Sequence, residues 1–143
     1  MNITENFSFA EFEESPTAKA KGILNVISTF EVRDAIVDLV REVLHPLRNL
    51  YGKPMNINSG YRCQELNEAI GGVATSQHCK GEAADIATGS PEESYNLAML
   101  ARDNNIPYDQ CILYPTFVHF SHKLNGEQRH KILYNSSYRG KKL

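Results

Sequence analysis

Apolar residues recur every three or four positions between residues 31 and 51, which is the period of an amphipathic helix. The apolar positions in this stretch are Val32, Ile36, Leu39, Val40, Val43, Leu44, Leu47 and Leu50. Ser28 and Glu31 have the spacing of a capping box, which predicts where the helix begins. Pro46 has no backbone N–H to donate to the carbonyl four residues earlier, so we expect the helix to kink there.

The rest of the chain predicts a second long helix and several strands. Ser90, Pro91 and Glu93 form the cap, first position and third position of a helix that we expect to run to about Asn104. A shorter helix is predicted over residues 63–70. Alternating or compact apolar segments predict strands at 55–59, 83–87, 110–114, 117–121 and 131–134. Because helices and strands are partly segregated and the last strands are joined by short turns, we predict an α+β domain with a mainly antiparallel sheet.

Length and charge limit the class of protein and the kinds of partner. A chain of 143 residues fits one domain, so we predict a single domain over 1–143, with 1–25 as a lead-in segment and 136–143 as a flexible tail. The net charge of -2 argues against a basic face for nucleic acid. No apolar run approaches the roughly 20 residues that a membrane span needs. The N-terminus has no basic start followed by an apolar stretch, so we expect cytoplasmic synthesis without a signal peptide. We also expect the protein to be a monomer.

The strongest chemical signal lies between Ser76 and Asp85, in the sequence S-Q-H-C-K-G-E-A-A-D. His78 and Asp85 are seven residues apart with Gly81 between them, so they cannot share a face of one regular helix. They can converge if His78 ends a loop and Asp85 begins a strand that returns beside it. Imidazole and carboxylate are both zinc ligands. Spacing alone leaves two interpretations open, a metal site and a hydrogen-bonded His–Asp pair.

A third candidate ligand lies in the predicted strand 117–121. Side chains alternate along a strand, so His119 shares a face with Phe117 and Ser121, while Val118 and Phe120 point into the core. A histidine held on such a strand is rigidly placed for binding a ligand. Two histidines and one carboxylate with an open position form the arrangement of catalytic zinc sites. The alternative is an ordinary surface histidine on a strand.

These motifs resemble those of a known family. The pattern S-x-H-x-x-G-x-A-x-D at Ser76–Asp85, followed by V-H-x-S at Val118–Ser121, is similar to the zinc D-alanyl-D-alanine carboxypeptidases of peptidase family M15. Leu47–Arg48 and the S-G-Y-R run within Ile57–Arg62 also match that family. The opening F-S-F-A-E-F at Phe7–Phe12 resembles the lead-in of its small branch, which is associated with phages and bacteria. The resemblance spans roughly residues 7–122.

The resemblance implies a Hedgehog/DD-peptidase fold and a zinc site with one ion per chain. His78, Asp85 and His119 would hold the zinc, and a peptidoglycan stem peptide would be the substrate. Arg62 would lie near the cleft, either pairing with a substrate carboxylate or forming a structural salt bridge. Ser76 would either hydrogen-bond the substrate backbone or brace the loop that carries His78.

The general base of such an enzyme is not evident. Where the related pattern D-Q-x-I-x-E has Glu, this chain has Tyr114. We consider three replacements, His122, Glu82 and Asp109. Strand alternation puts His122 on the face opposite His119 unless the strand ends at Ser121. Glu82 lies three residues before Asp85 and could reach the site, with a solvated side chain as the alternative. Asp109 comes early on its strand, where it is suited to capping a turn.

Two functions are therefore carried forward. The first is a zinc metallopeptidase that hydrolyses peptidoglycan stem peptides, as a carboxypeptidase or an endolysin-type endopeptidase. The second is a zinc domain without efficient catalysis that binds peptidoglycan or a protein partner. No signal peptide is evident, and the resemblance offers one route to a wall substrate, since prophage-type wall hydrolases can be made in the cytoplasm and released at lysis.

Overall fold

Helices and strands both contribute to the fold, which confirms the predicted α+β class. The computed structural model describes residues 2–143. The helices are α1 (Phe9–Glu13), α2 (Pro16–Lys21), α3 (Phe30–Leu39), α4 (His45–Tyr51), α5 (Gln64–Ala69) and α6 (Pro91–Asp103), with a π-helical turn at Val40–Leu44 and a 3-10 turn at Gln77–Lys80. The strands are β1 (Asn2–Thr4), β2 (Phe7–Ser8), β3 (Ile57–Ser59), β4 (Ala83–Ala87), β5 (Gln110–Leu113), β6 (Phe117–Ser121) and β7 (Lys131–Tyr134). Within residues 2–143, no helix has both the length and the hydrophobicity needed to cross a bilayer.

Five strands form the main sheet, in the order β3–β4–β6–β5–β7. Neighbouring strands are antiparallel except β5 and β7, which are parallel. β7 follows β6 in the chain but pairs on the far side of β5. It runs opposite to β6 and therefore in the same direction as β5. The register sets Asp85 of β4 directly opposite His119 of β6. This one pairing brings together two residues that are 34 positions apart in sequence.

The core lies on the face of the sheet opposite these two residues. Val118 and Phe120 of β6 are fully buried there, as the alternation of the strand predicted. The same core contains the apolar stripe of the predicted long helix, with Ile36, Leu39, Val40, Val43, Leu44 and Leu47 all fully buried. His119 therefore stands on a strand whose neighbouring side chains are fixed by packing.

The long helix differs from its prediction at its start and at its kink. Thr29, not Ser28, caps α3, because the Thr29 side chain accepts a hydrogen bond from Val32 N–H at 3.2 Å. The expected disturbance at Pro46 takes the form of the π-helical turn at Val40–Leu44. The wider turn avoids a steric clash between the Pro46 ring and the backbone carbonyl one turn earlier.

Both ends of the chain pack against the rest of the protein. In the lead-in segment, Phe7 and Phe12 are buried, and Phe12 C=O accepts a hydrogen bond from Tyr61 N–H at 2.8 Å. In the segment predicted as a flexible tail, Tyr138 is only 4% exposed and Leu143 N–H donates to Tyr134 Oη at 2.7 Å. The sequence did not predict these contacts, because no local sequence pattern relates the segments that they join.

Candidate metal centre

Three predicted ligands converge at the middle of the β4–β6 pair. His78 lies on the 3-10 turn, Asp85 on β4 and His119 on β6, and one ligand atom from each lies within 4.8 Å of the others. His119 Nδ1 is 2.8 Å from Asp85 Oδ1, and His78 Nε2 is 3.3 Å from the same oxygen. The two imidazole rings meet edge to face, with their centroids 5.1 Å apart. The three residues of the motif thus form a cluster in space.

The orientation of His78 is set by the backbone. Its Nδ1 lies 2.7 Å from Gly60 C=O, and a carbonyl can only accept, so Nδ1 carries the proton. Nε2 then faces Asp85 Oδ1 and is the ring nitrogen that a metal ion would contact. Ser76 Oγ accepts a hydrogen bond from His78 N–H at 3.2 Å and caps the 3-10 turn. A second hydrogen bond that fixes a ligating histidine is typical of metal sites.

Asp85 is held as a carboxylate. Burial alone raises its pKa, but hydrogen bonds from His119 and His78 outweigh burial and hold the pKa of Asp85 well below its usual range. The ionised form is the one that binds a cation. Asp85 and His78 are buried, and His119 is partly accessible, so the cluster opens toward solvent on the His119 side.

The donor set fits zinc. Two imidazole nitrogens and a carboxylate oxygen are ligands that catalytic zinc sites use, at about 2.0–2.2 Å. Ligands at those lengths in a tetrahedral arrangement lie roughly 3.3–3.6 Å apart, and the His78–Asp85 distance of 3.3 Å is already in that range. Among residues 2–143, no fourth His, Cys, Asp or Glu joins the group, which leaves a position for water or substrate.

Of the two predicted substrate-binding residues, Arg62 lies at the metal cluster. Its Nη2 is 3.8 Å from Asp85 Oδ2, its Nε donates to Ser59 Oγ at 3.2 Å and its Nη1 donates to Asn67 Oδ1 at 3.3 Å. These contacts hold the plane of the guanidinium beside the cluster. Ser76 caps the turn of His78, which is the contact that the bracing alternative requires.

The structure does not bring the predicted general bases to the cluster. Asp109 is fully buried and binds Arg129, whose Nη2 lies 2.7 Å from Asp109 Oδ2. His122 Nδ1 lies 2.9 Å from Asp38 Oδ2, on α3. Glu82 accepts a hydrogen bond from Leu124 N–H at 3.1 Å. The charged or backbone groups nearest these side chains are therefore Arg129, Asp38 and Leu124, and none of the three belongs to the His78–Asp85–His119 cluster.

Two groups that support the site could not be identified from the sequence. Gly60 acts through its carbonyl, and a backbone atom leaves no signature in residue type. Asn25 is 7% exposed and braces the same loop: its side-chain amide donates to Tyr61 C=O at 2.9 Å, and its oxygen accepts from Cys63 N–H at 2.8 Å. The only signal was an asparagine between apolar residues, which is too common to interpret.

The Asp109–Arg129 pair makes stability depend on pH. Burial raises the pKa of Asp109, but hydrogen bonds from Arg129 outweigh it and lower the pKa from 3.8 to about 2. Because the folded pKa is depressed, the stabilisation is complete above pH 4 and is lost as the pH falls through 2. The size of this shift corresponds to about 2 kcal/mol. We expect Asp109→Asn to lower the free energy of unfolding of the zinc-free protein by about that amount at pH 7, measured by urea denaturation.

The same measurement at pH 2.5 should show a much smaller difference between Asp109→Asn and the unmodified protein. Asp103→Asn is the matched control, since Asp103 pairs with Arg102 at the surface, where such a pair contributes little. A loss that is equal at both pH values would show that the charge of Asp109 is not what stabilises this loop.

The fold and the cluster together define a class of site, a largely buried His–Asp–His cluster that could hold a metal ion, on an antiparallel strand pair with an arginine beside it. The sequence profile of the family Peptidase M15 matches residues 5–122, and the chain belongs to this family. It is also 29% identical, over 125 residues, to a protein named zinc D-Ala-D-Ala carboxypeptidase from Streptomyces albus G. The alignment covers 87% of this chain and 47% of that relative, so the chain spans about half the relative's length. Family and relative support a zinc peptidase of the M15 type.

Proposed function

We propose that this chain hydrolyses peptide bonds in peptidoglycan stem peptides, with D-Ala-D-Ala termini as the preferred substrate. The observation that carries this proposal is the convergence of His78, Asp85 and His119 beside the guanidinium of Arg62. Membership of the M15 family and the name of the Streptomyces relative support the choice of substrate. We further propose one zinc ion per chain, which is supported by the single cluster of three candidate ligands within residues 2–143.

Each side chain has a defined role in such a reaction. A bound zinc ion supplies Lewis acidity, which polarises the scissile carbonyl and lowers the pKa of water to about 7. Asp85 is ionised before any metal binds, and Gly60 C=O keeps Nε2 of His78 directed toward the cluster. Arg62 is suited to bind the terminal carboxylate of the substrate, because a guanidinium can donate two parallel hydrogen bonds to it.

A comparison of two substrates tests this assignment. Zinc-loaded protein is incubated with an acylated peptide ending in D-Ala-D-Ala, and with the same peptide amidated at its C-terminus. We expect release of D-alanine from the first, and a kcat/KM about 10–100-fold lower for the amide, because a charge-assisted pair with Arg62 is lost. In Arg62→Gln the two peptides should differ by less than about threefold, whereas Arg102→Gln on α6 should behave like the unmodified protein.

The substrate comparison separates binding of the carboxylate from the structural contacts of Arg62, since those contacts are the same for both peptides. No release of D-alanine from the peptide, and no cleavage of purified peptidoglycan by zinc-loaded protein, would overturn the proposed function. Equal kcat/KM for acid and amide in the unmodified protein would remove Arg62 from the substrate site.

A second candidate function is a zinc domain that binds peptidoglycan or a protein partner without turning it over. The observation that favours it is Tyr114, at the position where the related D-Q-x-I-x-E pattern carries an acid. In the experiment above, this function predicts that the zinc-loaded protein binds the peptide and the Arg62 variant binds it less tightly, with no release of D-alanine from either.

A further inference from the structure

Tyr114 lies on the same face of the sheet as the metal cluster. Its backbone N–H donates to Phe117 C=O at 2.9 Å, one step beyond the Leu113–Val118 pair. Residues directly opposite each other on neighbouring strands share a face, and so do residues two apart on one strand. Tyr114 therefore projects from the same side as Phe117 and His119, and hence as Asp85 across from His119.

The position of the Tyr114 ring is fixed by its neighbours. It stacks on Phe117 with the ring centroids 4.1 Å apart and the planes inclined by only 14°. The carbonyl of Tyr114 accepts a hydrogen bond from Ser94 Oγ at 2.8 Å, which ties this end of β5 to α6. A ring held between a stacking partner and a tethered backbone can direct its hydroxyl with little loss of entropy.

The Tyr114 hydroxyl is within electrostatic reach of the cluster. Burial and the charge of Asp85 raise the pKa of Tyr114, and Arg62 lowers it. The balance keeps the phenol protonated near neutral pH, so it is available as a hydrogen-bond donor. The structure thus has two donors on this side of the sheet, the guanidinium of Arg62 beside Asp85 and the phenol of Tyr114 on the face that carries Asp85 and His119.

Arg62 and Tyr114 are both hydrogen-bond donors on the side of the cluster that they face. Among residues 2–143, no additional imidazole or carboxylate converges with His78, Asp85 and His119. Asp109, the acid that precedes β5, is engaged by Arg129. A preorganised donor at such a site is suited to an oxygen that gains negative charge when a carbonyl becomes tetrahedral.

We propose that the Tyr114 hydroxyl donates a hydrogen bond to the oxygen of the scissile carbonyl as that oxygen becomes negatively charged, which makes Tyr114 a catalytic residue. This assignment rests on the proposed peptidase function. Where the related pattern has an acid, this chain then has a residue that stabilises charge on the substrate instead of accepting a proton.

Binding of a tetrahedral analogue tests the assignment without measuring turnover. The probe is a phosphinate analogue of D-Ala-D-Ala, whose anionic tetrahedral group mimics the charged oxygen, and it is titrated calorimetrically into zinc-loaded protein. We expect Tyr114→Phe to bind the phosphinate about 10–100-fold more weakly, because a hydrogen bond to a charged group is lost. Zinc affinity, and affinity for the planar peptide, should change by less than about threefold. Tyr95→Phe on α6 is the control and should match the unmodified protein.

Tyr114→Glu gives a second, independent outcome. A carboxylate at this position repels the anionic phosphinate, so we expect weaker binding than in Tyr114→Phe. Equal or tighter binding by Tyr114→Glu, or unchanged binding by Tyr114→Phe, would overturn the assignment while leaving the peptidase function standing. If the unmodified zinc-loaded protein binds neither the phosphinate nor the peptide, the proposed function fails, and the role of Tyr114 fails with it.

Discussion

His119→Ala should lose zinc affinity and peptidase activity together, each by more than about 100-fold. Loss of a residue that merely orients a metal ligand typically costs 10–100-fold, and His119 is expected to be a ligand itself. It also supplies one of the hydrogen bonds that keep Asp85 ionised, so its removal weakens a second ligand. Zinc affinity is measured by competition with a chromophoric chelator, and activity by release of D-alanine.

The control for His119→Ala is His130→Asn. His130 is exposed and has a backbone φ of 54°, a left-handed conformation that asparagine tolerates. This variant should keep full zinc affinity and activity. If His119→Ala retains both properties while its circular dichroism spectrum is unchanged, the cluster is not the metal site.

Gly60→Ala should destabilise the protein and weaken zinc binding, although Gly60 contributes no side chain. A Cβ at this position would lie 2.7 Å from Phe12 Cα and 3.0 Å from Phe12 O, and neither backbone atom can turn aside. We expect a loss of about 2–3 kcal/mol in the free energy of unfolding, in the upper part of the usual range of about 1–3 kcal/mol for overpacking, because both contacts are with backbone atoms. The displaced Gly60 carbonyl would also release Nδ1 of His78, so zinc affinity should fall about 10–100-fold.

Gly71→Ala separates this clash from ordinary backbone strain. Gly71 has a φ of 75°, but a Cβ there meets no atom within 4 Å. Its substitution should cost only about 1 kcal/mol, the strain of a left-handed residue, and should leave zinc affinity unchanged. Similar losses of stability and zinc affinity in both variants would show that the close contact between Gly60 and Phe12 does not fix the position of this loop.

The three candidate ligands could be identified from the sequence because each lies in a short, recognisable sequence pattern. The alternation of strand 117–121 predicted which face His119 occupies, and the burial of Val118 and Phe120 agrees with it. The convergence of His78 with Asp85 needed only a turn and a returning strand, both of which local residue types indicate. The family resemblance added the pairing of this segment with His119.

The supporting interactions could not be predicted, because they depend on packing between distant segments. The sequence left Asp109 and His122 as candidate bases, and only the tertiary structure shows their partners Arg129 and Asp38. The choice of Thr29 over Ser28 as helix cap is of the same kind: both residues have suitable hydroxyls, and the surrounding fold decides where the helix begins.

X-ray absorption at the zinc edge, on protein loaded with one equivalent of zinc, shows which residues hold the ion. We predict two imidazole nitrogens and carboxylate or water oxygens at about 2.0–2.2 Å, with one imidazole lost in His119→Ala. Cys79 is adjacent to His78 in sequence and is a free thiol, so an alternative site would be recognisable by a sulfur ligand at about 2.3 Å. A sulfur contribution, or a spectrum that His119→Ala leaves unchanged, would contradict the His78–Asp85–His119 centre.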